Sequence, residues 1–168
     1  TDDPAAIGPV DIVLFAVKLW DVEAAAAFAR PLLGDDTRLI TLQNGVDSYE
    51  RVCTIVPPRY VVPGVASISS VIVEPGLIRQ TSSFHAITFG QANGGSDAML
   101  ERFAASSVNA NCIVKFSGDI QRERWRKFVV LTGTSGATAL TRMTLGAILE
   151  DTDTRAFLGD IMQETLRV

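Results

Sequence analysis

Two cysteines and one histidine in 168 residues leave little material for metal chemistry. Cys53, Cys112 and His85 cannot assemble a zinc site of the usual Cys/His type, which needs four such ligands. The two thiols could pair, but no basic stretch followed by an apolar one marks a secretory leader, so two separate thiols are expected. Excess positive charge is also missing. Fifteen basic residues face nineteen acidic ones for a net charge of −4, which argues against a general nucleic-acid or anionic-membrane surface. No apolar run approaches the ~20 residues that span a bilayer. No G-x-S-x-G elbow supports a serine triad, and His85 reads as non-catalytic. The expectation is a cytosolic chain without metal.

What is present fits a globular protein: 47% hydrophobic and 20% charged residues, enough for a sizeable core. The length suits one domain, or one domain and part of another. Both ends are unusual. Thr1-Asp2-Asp3-Pro4 has no initiator Met and leads at once into a strand signal. At the other end, Phe157, Leu158, Ile161, Met162 and Leu166 recur at helical spacing with no stop signal. The chain reads as an interior piece of a longer protein.

Residues 11–18 form a continuous apolar run closed by Lys18, as a buried parallel strand requires. Asp21 can cap a helix over residues 22–29, favoured by its alanines, and Gly34 with Asp35-Asp36 suits the helix end and a turn. Residues 38–42 form a second β-rich run ending at Gln43-Asn44-Gly45. Strand, helix, strand with short loops is a right-handed crossover and implies a parallel sheet. Lys18 and Asn44 would then share the carboxyl edge of neighbouring strands, where open parallel sheets bind ligands.

Further on, residues 60–62 and 65–73 read as strand, with Pro75-Gly76 as a turn. Residues 77–81 and 84–89 resemble a hairpin, 97–105 a helix and 110–116 a last strand. From Asp119 the pattern is almost wholly helical. The expected fold class is therefore α/β, with an α/β piece over residues 1–118 and the start of an all-α domain over 119–168.

Few residues could carry chemistry. Asp119 is a plausible helix cap, after which Ile120, Glu123, Lys127 and Leu131 share one face. An i,i+4 pair of Glu123 with Lys127 on a solvated surface accounts for that lysine, worth about 0.3–0.5 kcal/mol. Alternatively, Lys127 faces a cleft as a general acid, its pKa lowered by partial desolvation. The plain alternatives are that Lys18 closes a strand and that Asn44-Gly45 is a turn. Arg122, Arg124, Arg126 and Lys127 read as a solvated helix face, and Trp125 as a packing anchor. Gly133 and Gly136 each cost a helix about 1 kcal/mol relative to alanine, which close helix packing would offset.

Ala16-Val17-Lys18, Thr41-Leu42-Gln43-Asn44-Gly45-Val46 and Trp125-Arg126-Lys127-Phe128, in this order, resemble the ketopantoate reductase (2-dehydropantoate 2-reductase) family. Val73-Glu74-Pro75-Gly76-Leu77-Ile78 and Thr138-Ala139-Leu140-Thr141 extend the likeness over the whole chain. The resemblance implies the C-terminal part of a Rossmann-type NAD(P)-binding domain, then the beginning of a helical substrate domain. It implies NADPH-dependent reduction of a 2-oxo acid, ketopantoate to pantoate in pantothenate biosynthesis. Lys127 would be the catalytic lysine. Lys18, Asn44 and Ser70 would touch the NADP cofactor, and Asn44, Lys127, Leu131 and Ser135 the substrate.

The resemblance also marks departures. The family's glycine-rich phosphate loop is not among these residues, so the 168-residue piece alone is expected to bind NADPH weakly and to be inactive. Leu131 and Ser135 stand where well-studied members carry asparagines, which opens the choice of 2-oxo acid. The implied partners are a small 2-oxo acid and a second copy, through a homodimer of the helical domain. A non-catalytic small-acid-binding or interaction module of the same fold is the alternative.

Overall fold

The computed structural model describes residues 1–110 and 112–168. They divide into two compact units, Thr1–Arg124 and Trp125–Val168.

The first unit is built on a five-stranded sheet, ordered β1 (Val10–Phe15), β2 (Leu33–Thr41), β3 (Val61–Glu74), β4 (Leu77–Phe89) and β5 (Ile113–Phe116). β1, β2 and β3 are parallel, β3 and β4 antiparallel, and β4 and β5 parallel. The crossover read from the sequence is thus present. It carries α1 (Val22–Phe28), and α2 (Ser48–Cys53) follows β2. Neighbouring side chains on a strand point to opposite faces. Leu39 and Val61 accordingly pack with Val22, Ala26 and Val52 beneath α1 and α2. Ile40 and Val62 pack on the other face with Phe89 and with Leu100 of α3 (Ala98–Ser106). Helices therefore cover both faces, as parallel strands demand.

α3 is held by one carboxylate. Asp97 Oδ1 accepts from the amides of Met99 and Leu100 at 3.0 and 3.2 Å, a helix cap. Its Oδ2 accepts from Arg38 Nε at 2.7 Å and from Gln91 Nε2 at 2.6 Å. Burial pushes this carboxyl up, but Arg38, the Leu100 amide and Gln91 outweigh it and hold the pKa below the ordinary aspartate value.

Several local expectations give way. β1 is at the edge of the sheet and only half covered: Phe15 is buried, whereas Leu14 is 48% exposed. Asp21 makes no capping hydrogen bond, because a 3-10 turn over Leu19–Asp21 leads into α1. Gly34 does not end that helix but lies inside β2. Val10 pairs with Leu33 and Ile12 with Arg38, so the turn-like Asp35-Asp36 falls in a bulge. Buried Thr37 fixes it, accepting from Gly34 N at 2.8 Å and donating to Val10 O at 2.6 Å.

The hairpin expected within residues 77–89 is a single strand, and the hairpin is instead β3 with β4 about Pro75-Gly76. Ile68 faces His85 and Ser70 faces Gln80, so Ser82 and Ser83, between the two expected runs, occupy a bulge. Ser82 Oγ fixes that bulge by accepting from Ser69 N and donating to Phe84 O. Of the strand expected over 110–116, residues 113–116 form it, and Asn111 lies outside the described residues. Gly64 marks the change from parallel to antiparallel pairing. A Cβ there would stand 2.8 Å from the Thr41 carbonyl oxygen, so no larger residue fits.

α4 (Ile120–Thr141) begins in the first unit, capped as expected by Asp119, whose Oδ1 accepts from Arg122 N at 3.1 Å. In the second unit α4 continues and ends where Arg142 turns left-handed, with φ +57°. α5 (Leu145–Glu150) and α6 (Thr152–Leu166) follow, and Ala137, Ile148 and Leu158 form their common core. Gly133 lets α6 approach, since a Cβ there would lie 2.6 Å from Met162 Cγ. Among the described residues no helix is long and apolar enough to cross a membrane.

Candidate functional site

The parallel pairing of β1 with β2 sets Phe15 opposite Thr41. From each strand end the chain runs on for three residues, which brings Lys18 and Asn44 to one edge. Both line a cavity of about 370 Å³, together with Gln43 and Trp20. Lys18 and Asn44 are exposed, and Trp20 is 77% exposed. The cavity thus offers an ammonium, a carboxamide and an aromatic face at the carboxyl edge of the sheet, the usual ligand position in an open α/β sheet.

Beneath them Gln43 is buried, with only 7% of its surface exposed. Its Nε2 donates to the carbonyls of Phe15 at 2.8 Å and Val17 at 3.2 Å, which holds the segment leading to Lys18. Its Oε1 is buried and accepts no hydrogen bond from the described residues. An unsatisfied buried acceptor costs about 1–3 kcal/mol, so the fold carries a cost at this carboxamide.

Gly45 follows with φ +95°, a conformation that favours glycine. One residue further, Val46 O accepts from Arg124 Nη2 at 2.6 Å. Arg124 is 3% exposed and also donates through Nη1 to Gln121 Oε1 at 2.9 Å. Sequence reasoning placed Arg124 on a solvated helix face, and the structure corrects this. Ile120, one turn earlier, is 1% exposed, so the i,i+4 relation to that apolar residue was the available signal. Gln43 was also missed, because a glutamine just past a strand carries no distinguishing spacing.

Ser70 is not brought to the cavity. It lies on the exposed part of the β3–β4 ribbon, seven residues past Pro63, the last β3 residue paired with β2. That is roughly 23 Å of extended chain.

On α4, Lys127, Leu131 and Ser135 recur at four-residue spacing and share a stripe. Lys127 and Leu131 are half-buried and Ser135 is exposed. Burial pulls the Lys127 amine below the ordinary lysine range, which makes it a better proton donor. Trp125, 37% exposed, meets Phe128 edge to face at 5.7 Å between centroids. His85 lies on β4, far along the sheet from β1, with its ring Nδ1 3.2 Å from Gln80 Nε2. Cys53 and Cys112 are both free thiols. Among the described residues, no group of three or more His, Cys, Asp or Glu could hold a metal ion.

Known proteins match this arrangement. Residues 1–94 match the family described as ketopantoate reductase PanE/ApbA, and residues 119–168 match its C-terminal family. A 2-dehydropantoate 2-reductase of Halobacterium salinarum is 30% identical over 166 residues, which cover 99% of this chain and 54% of that protein. The crystal structure of 2-dehydropantoate 2-reductase from Geobacter metallireducens superposes with a TM-score of 0.90 at 28% identity, over 99% of this chain and 55% of that one. D-mandelate dehydrogenase with NADH shares the fold at a TM-score of 0.81 and 17% identity, over 93% of this chain and 52% of that one. The chain spans about half the length of the curated relatives it matches.

Proposed function

Because this chain belongs to the ketopantoate reductase PanE/ApbA family, we propose that the complete protein reduces a 2-oxo acid to the 2-hydroxy acid with NADPH. Ketopantoate, reduced to pantoate for pantothenate synthesis, is the first substrate to assay. On this reading residues 1–118 are the later part of a Rossmann-type domain, and residues 119–168 open a helical substrate domain that also forms a homodimer. The half-buried Lys127, whose amine burial has made more acidic, is the observation that carries the proposal.

The residues at the cavity fit a dinucleotide. Lys18 supplies a cation and Asn44 donors and acceptors. NADPH, when bound, supplies the hydride. Lys18 neutralises anionic charge at the strand edge, and Asn44 hydrogen-bonds the cofactor beside it.

Reduction moves the carbonyl π electrons onto oxygen as hydride reaches the carbon. An ammonium at that oxygen is worth more in the transition state than in the ground state, because the negative charge is then larger. Lys127 hydrogen-bonds the keto oxygen and gives it a proton, and the neutral amine regains one from water. Leu131 and Ser135, one and two turns on, line the substrate. A leucine rewards an apolar substituent and leaves a polar one unsatisfied, so the pair selects which 2-oxo acid is accepted.

In the complete protein, Lys127→Ala should lower kcat by about 10²–10⁴-fold, the usual worth of general-acid catalysis. The NADPH Kd should stay nearly unchanged. Turnover within twofold of the parent would refute the role, and a parent that binds NADPH without reducing any 2-oxo acid would favour a binding module.

A further inference from the structure

Asn44 is exposed, yet the residues on either side of it are tied by hydrogen bonds. Before it, Gln43 Nε2 bridges the Phe15 and Val17 carbonyls, and Leu42 N donates to the same Phe15 oxygen at 3.0 Å. After it, the Arg124 guanidinium grips Val46 O at 2.6 Å. Gly45, between the grips, supplies the positive φ that the loop needs to turn.

Stability alone is a poor account of Arg124. Burying a guanidinium costs several kcal/mol, and replacing a buried ion by a well-packed apolar residue is often neutral or stabilising. The nearby carboxylate of Glu50 lies 3.5 Å away and is 58% exposed, so it repays little of that cost. A charge-assisted hydrogen bond to a main-chain carbonyl instead fixes a backbone position sharply. Gln43 is spent in the same way, its donors given to main-chain carbonyls while Oε1 stays unsatisfied.

We propose that Gln43 and Arg124 are positioning residues that clamp residues 43–46 from both sides, so that Asn44 is presented to the cofactor in one geometry. The inference rests on the reading of Asn44 as a cofactor contact. Neither residue touches the reacting atoms, and both act through the main chain. Preorganisation of this kind raises affinity by removing the entropy cost of ordering the loop on binding.

The test uses the complete protein and three variants, Arg124→Met, Arg124→Lys and Gln43→Leu, each alone and combined with Asn44→Ala. Two quantities are measured, the Kd for NADPH by fluorescence titration and amide exchange across residues 42–48. Arg124→Met should weaken NADPH about tenfold and speed exchange at Gly45, Val46 and Asp47 while β2 keeps its protection. Arg124→Lys, which can still reach one carbonyl, should recover part of both, and it serves if the methionine variant fails to fold. Combined with Asn44→Ala, each clamp variant should weaken NADPH by less than a further twofold, because its effect travels through that asparagine. Additive losses, or weaker binding with unchanged exchange, would overturn the clamp. If Asn44→Ala alone binds NADPH as tightly as the parent, the assignment of Asn44 itself is overturned, an outcome distinct from additive losses.

Discussion

Two glycines one turn apart on α4 should respond differently to the same substitution. Gly→Ala in a helix interior gains about 0.8–1.0 kcal/mol in propensity at either position. At Gly136 the new Cβ would lie 3.5 Å from Ile161 Cδ1, an ordinary contact, so the gain is kept. Gly136→Ala should therefore stabilise by about 1 kcal/mol, or about 2–4 °C in Tm for a chain of this size. At Gly133 the Cβ would stand 2.6 Å from Met162 Cγ and 2.9 Å from its Cε, with Leu158 Cδ1 at 3.3 Å. Cγ is near the root of that side chain and cannot swing away cheaply. Overpacking of this kind costs about 1–3 kcal/mol, so Gly133→Ala should be neutral or lose up to about 2 kcal/mol. Propensity cancels in the comparison of the two variants, leaving the packing cost as the difference between their melting curves by circular dichroism. Shortening the opposing side chain with Met162→Ala should recover part of the Gly133→Ala loss. Equal stabilisation at both positions would show that α6 does not close on Gly133 as described.

The alkaline limb of turnover in the complete protein should fall as Lys127 loses its proton, at a pH below the ~10.4 of an ordinary lysine, because burial lowers this amine. A pH–rate profile flat to that value would contradict the assignment. Asp97→Ala removes both the α3 cap and the partner of Arg38, and should cost about 2–4 kcal/mol in urea unfolding. The Asp97 carboxyl is held below its ordinary value, so its contribution is complete above the unfolded pKa of about 3.9 and lost as pH falls through the lower folded value. The parent should thus lose its advantage over the variant in acid, and a gap independent of pH would refute this. Gly45→Ala should cost about 1–2 kcal/mol, since φ +95° is strained for any side chain even though the nearest atom would be 3.4 Å away. An unchanged Tm would show that the loop adopts another conformation.

The parallel crossover was legible because the apolar run of β1, the alanines of α1 and the short run of β2 are local signals that agree with one another. The meeting of Lys18 with Asn44 followed from them, since parallel strands of similar reach end together. The hairpin was misread because Ser82-Ser83 interrupts the β-rich pattern between the two runs, and only pairing with β3 shows that these residues fill a bulge. Arg124 was misread because charge is a surface signal, whereas its carbonyl partner lies 78 residues away in the chain. The glycines of α4 were legible as an anomaly, and the reason for one of them, Met162 of α6, lies in a contact that no helical periodicity contains.

Leu39-Ile40 on β2 and Val61-Val62 on β3 each divide two consecutive side chains between opposite helical layers. Adding or removing a single residue within either segment would exchange those destinations, sending each side chain into a space shaped for its neighbour. Length variation between homologues should consequently be absent from these four positions and collect instead at the ribbon tip near Gly76, where the chain can grow without reassigning any buried group.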